Sequence, residues 1–340
     1  MNVLPVDSLD GKNGFRSCSI IGVGSYVPQK ILTNNDLEAM VETSDQWIIE
    51  RTGIKERRLA AENEFTSDLG AKASIKALNK AGIDPKEIDL IIVATITPDM
   101  PFPSTACWIQ QKIGAFNAAA FDLEAACSGF IYALEIGRQF ITTGALNTVL
   151  VVGAEKLSSI VDWEDRNTCV LFGDGAGAAV LQHRDGARGL ISACLGADGR
   201  KAELLYQPGG GSRHPASTET ISARLHYLKM NGKETFKCAI NAMCNAAETV
   251  LNKSKVDISQ VKLVIPHQAN MRILDAIGKR LGISSDKLFI NLHKYGNTSA
   301  ASIAIALDEA SESGLINKGD LILLVGFGAG FTWGAALLEW

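Results

Sequence analysis

The sequence predicts an α/β protein in which one strand-and-helix unit occurs twice, on three observations. The chain has 340 residues, about twice the common domain size. Apolar strand-like runs alternate along it with amphipathic helical stretches, the pattern of largely parallel sheets with helices packed on them. One such stretch also recurs. Leu78 to Val93 reads LNKAGIDPKEIDLIIV, and Leu251 to Ile265 reads LNKSKVDISQVKLVI, each a helix end, a turn and a buried strand. Hydrophobic residues at 46% and charged residues at 21%, with nine prolines, exclude disordered, collagen-like and coiled-coil classes.

The two copies continue downstream. In the first, a strand over Ala118 to Leu123 leads through Cys127 into a helix over Ser128 to Thr143 and a strand over Thr148 to Val152. In the second, a strand over Leu288 to Asn291 leads through Asn297 into a helix over Ser299 to Ser313 and a strand over Asp320 to Val325. This alignment gives Cys127 and Asn297 equivalent posts. Phe172 to Leu181 likewise echoes Phe327 to Leu337. A pseudo-twofold relating the copies would bring the helices after Cys127 and Asn297 together at the centre, where distant residues could share one site. The uncharged run Leu321 to Leu338 reaches the lower limit for a membrane helix, but Gly326, Gly328, Gly330 and Gly334 interrupt it, so it reads as two core strands joined by a glycine turn.

A net charge of −4 argues against nucleic acid as the main partner, since phosphate binding needs a basic surplus on some face. Seven scattered cysteines, with no Cys-x-x-Cys pair and no histidine at zinc-ligand spacing, read as reduced cytoplasm with no metal site. The N-terminal residues lack the basic start and apolar stretch of a signal peptide, and no membrane span is expected.

Three polar residues stand at strand ends. Cys127, in Ala125-Ala-Cys-Ser-Gly129, lies at a strand-to-helix turn, where free amides and the helix dipole favour a thiolate and hence nucleophilic attack on a thioester. A free cysteine there serves equally well as a small buried hydrophobe. Ser128 is the weaker nucleophile, without the Gly-x-Ser-x-Gly elbow. His267 follows a buried strand in Ile265-Pro-His-Gln-Ala-Asn270, where open α/β sheets place their sites. It is alternatively an ordinary hydrogen-bonded histidine, and Asn297 in Tyr295-Gly-Asn-Thr-Ser-Ala300 a helix cap. The three together make a coherent nucleophile and oxyanion site. The clusters Gly173-x-Gly175-x-Gly177 and Gly326-x-Gly328-x-Gly330 lack the dinucleotide turn and a Walker lysine, and tight packing or a nearby substrate explains them better.

Seven blocks in order now carry a family resemblance: DQWIIERTGI at Asp45 to Ile54, FPSTAC at Phe102 to Cys107, ACSG at Ala126 to Gly129, FGDGAG at Phe172 to Gly177, PHQAN at Pro266 to Asn270, GNTS at Gly296 to Ser299 and GFTWG at Gly330 to Gly334. From about Ser19 to the C-terminus the chain resembles the β-ketoacyl-acyl carrier protein synthase III family, the initiating condensing enzymes of type II fatty-acid synthesis. The resemblance implies a thiolase-like duplicated fold, two mixed sheets with helices in an αβαβα layering. It divides the chain into an N-terminal extension at 1–15, a half at 16–185 carrying Cys127 and a half at 186–340 carrying His267 and Asn297.

By that resemblance Cys127 accepts an acyl group from acyl-coenzyme A (CoA), and malonyl-acyl carrier protein then decarboxylates and attacks the acyl-cysteine. His267 and Asn297 would donate to the enolate, and the backbone amides of Cys127 and Ala329 would form a second oxyanion hole, with Ala329 where the family usually has glycine. The substrates are the two thioesters and no cofactor is implied. Trp47 would stack on the adenine and Arg51 and Arg166 face the nucleotide end. Arg272 and Gln268 map to the carrier-protein contact, which Lys229, Lys233 and Lys237 at four-residue spacing could extend. Phe102 would close the acyl pocket beside Ile96 from a neighbouring subunit, implying a homodimer. The segment Gly209 to Ile221 reads as a longer loop than the family's.

Two other functions remain open on the sequence. A specialised secondary-metabolism condensing or acyl-transfer enzyme shares the fold and the Cys-His-Asn set, whereas a non-catalytic carrier-protein-binding subunit usually loses the nucleophile. Plant-type polyketide synthases are disfavoured because Gly326 to Gly330 reads GFGAG where they have GFGPG. Hydroxymethylglutaryl synthases are disfavoured because the segment Ala94 to Met100 offers only Asp99 where a glutamate base is needed.

Overall fold

The computed structural model describes residues 4–5 and 16–340. Strands β1 (Leu4–Pro5), β2 (Ser19–Tyr26), β3 (Lys30–Thr33), β4 (Glu56–Leu59), β5 (Leu90–Ala94), β6 (Ala119–Leu123), β7 (Thr148–Glu155), β8 (Gly175–Gln182), β9 (Leu190–Ala197), β10 (Leu205–Tyr206), β11 (Lys229–Met230), β12 (Leu263–Pro266), β13 (Leu321–Gly328) and β14 (Thr332–Glu339) build two five-stranded sheets and two short hairpin-like pairs. The large sheets run β2-β8-β7-β5-β6 and β1-β9-β14-β13-β12, and both mix parallel with antiparallel neighbours. The division expected at 185/186 falls between β8 and β9. Of the expected extension at 1–15, only Leu4–Pro5 lies among the described residues, as a short strand against β9 where no strand was anticipated.

Side-chain alternation explains why the central strands are apolar throughout. In β5, Leu90, Ile92 and Ala94 face the layer between the sheets, while Ile91 and Val93 face the outer helices. In β13, Ile322 and Leu324 point inward, and Leu323 and Val325 outward. A strand covered on both faces must be hydrophobic at every position. Between the sheets lie helices Gly129–Thr142 and Ala301–Glu312, which contribute Phe130, Ile131, Leu134, Ile303 and Leu307 to one shared core. Helices Thr66–Ala81 and Thr105–Ile113 cover the first sheet outside, and Gly232–Ser254 and Met271–Leu281 the second. This is the expected αβαβα layering. The run 321–338 forms the antiparallel β13–β14 hairpin, and among the described residues no helix is long and apolar enough to cross a membrane.

The duplication extends to the helix caps. Helix Thr66–Ala81 ends on left-handed Gly82 and helix Gly232–Ser254 on left-handed Lys255. A capping box then follows in each copy, Asp84 with Glu87 and Asp257 with Gln260. The same spacing pairs Ala126 (φ 45°) with Ser299 (φ 46°), the positive-φ corners that turn each sheet strand into its central helix. Cys127 is therefore the structural counterpart of Ala300, and the equivalence with Asn297 is corrected by three positions.

The strand expected at Leu288–Asn291 is also corrected, to a single bridge between Val264 and Leu288. Beyond that bridge the Gln268 side chain takes over the backbone groups. Its Oε1 accepts from the amides of Asn291 (3.0 Å) and Leu292 (3.2 Å), and its Nε2 donates to the carbonyls of Pro266 (2.8 Å) and Phe289 (3.1 Å). The glycine clusters are packing devices: a Cβ on Gly177 would stand 2.4 Å from Ala304 Cβ, and one on Gly173 2.3 Å from the Tyr295 carbonyl.

Candidate active site

The turn Ala126–Ser128 holds Cys127 at the start of the first central helix, where two cavities meet. The larger, about 410 Å³, is walled by Ile96, Leu157, Ile160, Leu205 and Leu228 and reaches Ala329 on the β13–β14 turn. The smaller, about 140 Å³, is walled by Met230, Phe236, Met243, Ile273 and Phe327 and carries His267 and Asn297. A Cβ on Gly328 would lie 2.6 Å from the Cys127 nitrogen, so glycine there lets the strand end bring Ala329 against the corner.

The expectation that the corner makes the thiol easy to ionise is corrected. Burial, opposed by Ser299 and reinforced by the Glu155 charge, pushes the Cys127 thiol up to about 12. The turn also spends amides that could have faced the sulfur: Ser128 N donates to the Ala125 carbonyl (3.2 Å) and Gly129 N to that of Ala126. Ser128 is no competing nucleophile, because its hydroxyl lies in a network with Ala125 O (2.8 Å) and Thr332 Oγ1 (2.7 Å).

His267 is 2% exposed, and burial drops its pKa to about 3, so the ring is neutral across the physiological range. Its Nδ1 stands 2.6 Å from Ser302 Oγ on the second central helix. With the serine hydroxyl donating, the ring proton sits on Nε2. Asn297 is fixed by a parallel bridge to Phe172, and its Oδ1 accepts from the Ser299 amide at 2.8 Å. That bond fixes the amide plane and leaves Nδ2 as the donor on the side of the cavity it lines. Two neutral N–H donors thus share a cavity with the thiol.

Trp47, half-buried on helix Asp45–Thr52, has the Arg166 guanidinium 5.1 Å and the Arg51 guanidinium 5.6 Å from its ring. Asn270, a wall of the smaller cavity, donates to the Arg51 carbonyl (3.1 Å), and Arg272 donates to the Glu50 carbonyl through Nε (3.2 Å) and Nη2 (3.0 Å). The structure therefore gathers Trp47, Arg51, Arg166 and Arg272 around helix Asp45–Thr52. Gln268 is not there. It is 1% exposed and its side chain is spent on backbone groups, which corrects its expected contact with a carrier protein. Lys229, Lys233 and Lys237 do not share a helix face either: Lys229 lies in β11 beside Asp162 (3.6 Å), and Lys237 pairs with Glu234 (3.6 Å). Phe102 is 84% exposed and touches neither cavity of its own chain, whereas Ile96 lines the larger one. Gly209 to Ile221 is an ordered excursion that includes helix Thr218–Ser222 and returns through a Leu228-to-Ile160 backbone bond of 2.9 Å.

Sequence reasoning missed Ser299, Ser302 and two carboxylates. The search for acid groups stopped at Asp99, which caps helix Thr66–Ala81 through the Ser67 amide (2.8 Å) and hydroxyl (2.5 Å). Glu124 instead lines the larger cavity, and Glu155, at the end of β7, is fully buried behind Ser299. The constant spacing between the copies pairs Glu124 with Asn297, a signal present in the sequence.

The chain is similar to known proteins in sequence and in fold. Residues 121–199 match the family described as 3-Oxoacyl-[acyl-carrier-protein (ACP)] synthase III, and residues 251–340 match its C-terminal counterpart. The chain is 58% identical over 327 residues to Beta-ketoacyl-[acyl-carrier-protein] synthase III of Natranaerobius thermophilus, covering 95% of this chain and 99% of that protein. It superposes with a TM-score of 0.89 on the crystal structure of 3-oxoacyl-[acyl-carrier-protein] synthase III from Aquifex aeolicus VF5, at 49% identity, covering 95% of this chain and 100% of the other. The priming β-ketosynthase of the R1128 polyketide pathway has the same fold, with a TM-score of 0.89 and 35% identity over 99% of this chain and 98% of its own.

Proposed function

This chain belongs to the β-ketoacyl-[acyl-carrier-protein] synthase III family of condensing acyltransferases, and on that premise we propose that Cys127 carries an acyl group from an acyl-CoA primer to malonyl-acyl carrier protein. The products are 3-oxoacyl-acyl carrier protein, carbon dioxide and CoA, and the reaction initiates type II fatty-acid synthesis. Identity of 58% to a synthase III against 35% to the polyketide priming enzyme favours this over specialised metabolism. The observation that carries the reading is that Cys127 opens onto both cavities while His267 and Asn297 line the second.

The chemistry divides between the cavities. The sulfur attacks the thioester carbonyl with the acyl chain in the larger, apolar cavity, and the Cys127 and Ala329 amides stabilise the tetrahedral oxyanion. Malonyl thioester then enters the smaller cavity. Loss of carbon dioxide leaves negative charge on the thioester oxygen, which His267 Nε2–H and Asn297 Nδ2–H stabilise, and the enolate carbon attacks the acyl-cysteine. A preorganised donor of this kind is worth about 3 to 4 kcal/mol of barrier. The drop in the His267 pKa suits it to donate while neutral, since an imidazolium would hold the malonyl carboxylate and oppose its loss.

Trp47 with Arg51 and Arg166 would receive the CoA nucleotide, and Arg272 an acidic carrier protein, because the guanidiniums of Arg51 and Arg166 lie by the Trp47 ring and Arg272 binds the Glu50 carbonyl of the same helix. We assign the halves to 16–185 and 186–340. A cytoplasmic site fits seven free cysteines. A homodimer fits the open edge of β6 and the exposed rings of Phe102 and Phe121 near it. The test is intact mass with acyl-CoA: Cys127→Ala forms no acyl adduct, while His267→Ala and Asn297→Ala acylate normally but release carbon dioxide from malonyl-carrier protein about 100- to 1,000-fold more slowly. Full condensing activity in all three variants overturns the assignment.

A further inference from the structure

Acylation poses a proton problem that the Cys-His-Asn set does not solve. The resting thiol is protonated, and His267 is committed to Ser302 through Nδ1 and to the enolate through Nε2. Two buried groups outside that set lie on the other side of the sulfur. Ser299 is 1% exposed, lines the larger cavity with Cys127, and its hydroxyl is buried and makes no hydrogen bond. It faces both the Cys127 thiol and the Glu155 carboxyl.

Glu155 is fully buried, lines neither cavity, and is held by Thr97 Oγ1 (2.6 Å), Thr95 Oγ1 (3.1 Å) and the Ile96 amide (3.1 Å). The spacing that relates the two copies places it opposite Gly328, so the carboxyl is present only on the side of Cys127.

We propose that Ser299 and Glu155 form a proton store for Cys127, resting on the condensing reading above: Ser299 relays the thiol proton to the Glu155 carboxylate during acylation and returns it when the condensation releases Cys127. In the first half, Ser299 Oγ takes the S–H proton and passes its own to Glu155. The Cys127 sulfur bonds to the acyl carbon, and CoA leaves as the thiolate. In the second half, the enolate carbon bonds to that acyl carbon, the C–S bond breaks, and the departing Cys127 thiolate takes the proton back from Glu155 through Ser299. The negative charge that enters as the malonyl carboxylate leaves as the CoA thiolate, which water protonates, so no further reactant is needed.

The surroundings suit the role. Burial raises the Glu155 pKa to about 7, which lets the carboxyl accept and return a proton near neutrality. The titratable group it faces is Cys127. Its neighbour Lys156 sends its ammonium to the carbonyls of Ala61 (3.0 Å) and Glu64 (2.7 Å), and Asp174 is held by the Ala60 amide (2.8 Å) and by Ser158.

Ser299 shares the larger cavity with the reacting sulfur, whereas Glu155 acts through it as a positioning residue. The experiment is single-turnover acylation by acetyl-CoA, followed by intact mass from pH 5.5 to 9, with iodoacetamide alkylation of Cys127 as a CoA-independent readout. In the wild type both rates rise with pH through an inflection near 7, because the carboxylate form of Glu155 is required. Glu155→Gln abolishes the inflection and slows acylation roughly 100-fold at pH 8. Ser299→Ala does the same while leaving the Thr97, Thr95 and Ile96 bonds to Glu155 in place, which guards against misfolding of the first variant. Carbon dioxide release from malonyl-carrier protein by enzyme that has already been acylated stays at the wild-type rate in both. An inflection retained in Glu155→Gln, or wild-type acylation in Ser299→Ala, overturns the proton store. Failure of the wild type to form any adduct would instead overturn the condensing reading.

Discussion

Replacing Ser302 with alanine tests how the fold makes a neutral histidine into a donor at one chosen nitrogen. A neutral imidazole carries one N–H, and burial at 2% exposure leaves no water to bond the other nitrogen. With the Ser302 hydroxyl donating across its 2.6 Å contact to Nδ1, the proton sits on Nε2. Without the hydroxyl that preference disappears, and one buried acceptor is left unpaired. A neutral hydrogen bond is worth about 1 kcal/mol net and an unpaired buried group costs about 1 to 3 kcal/mol. An even mixture of tautomers costs about 0.4 kcal/mol of donor population, so decarboxylation should slow about 2-fold, far less than on removing His267 itself. Carbon dioxide release by pre-acylated enzyme measures the rate. Ring ¹⁵N shifts of His267 should change from a single Nε2–H form to a mixture, and denaturant unfolding should show a loss of about 1 to 3 kcal/mol. Acylation of Cys127 should be unaffected. Decarboxylation at the wild-type rate, or an equal fall in acylation, refutes the tautomer argument.

Two further outcomes follow from packing and from helix Asp45–Thr52. Gly153→Ala places a Cβ 2.4 Å from the Ala300 carbonyl oxygen, so calorimetry should show a loss of about 3 kcal/mol or more as the second corner is driven off the sheet; Gly82→Ala, in open space at φ +68°, should cost only about 1 kcal/mol. Trp47→Ala should raise KM for acyl-CoA severalfold with kcat unchanged, since it removes a stacking face worth about 1 kcal/mol; an unchanged KM places the nucleotide elsewhere.

Much of the fold was legible because the copies are written residue against residue. The segments at Leu78 and Leu251 predicted matching helix ends, turns and buried strands, and the structure repeats even their left-handed caps and capping boxes. Error entered where similarity of residue type replaced the fixed spacing. Carried forward unchanged, the spacing that pairs Leu78 with Leu251 reaches Ala300 from Cys127, not Asn297. Gln268 was assigned by resemblance of its motif, and only the tertiary structure shows its amide closing a strand that Leu288 to Asn291 leaves incomplete. Glu155 was hidden for the opposite reason. At the end of an apolar run it reads as the strand's first exposed residue, and the thiol's shift upward could not be inferred without knowing how deeply the corner is buried.

The spacing also explains why one duplicated fold makes one site. Cys127, His267 and Glu155 stand opposite Ala300, Ala94 and Gly328, each functional side chain facing a small residue in the other copy. A Cβ on Gly129 would lie 3.0 Å from Ala94 Cβ and 3.6 Å from Ala300 Cβ, so the corners meet at the axis with little space to spare. Two complete sets could not fit there. On the proposed mechanism, division of labour follows from that crowding: the first copy would supply the nucleophile and its buried carboxyl, and the second would supply the enolate donors and, at the corner equivalent to Ala126, the serine hydroxyl. The same crowding buries both groups, which raises the thiol and lowers the histidine, and the proposed path through Ser299 and Glu155 would serve a thiol held in that setting.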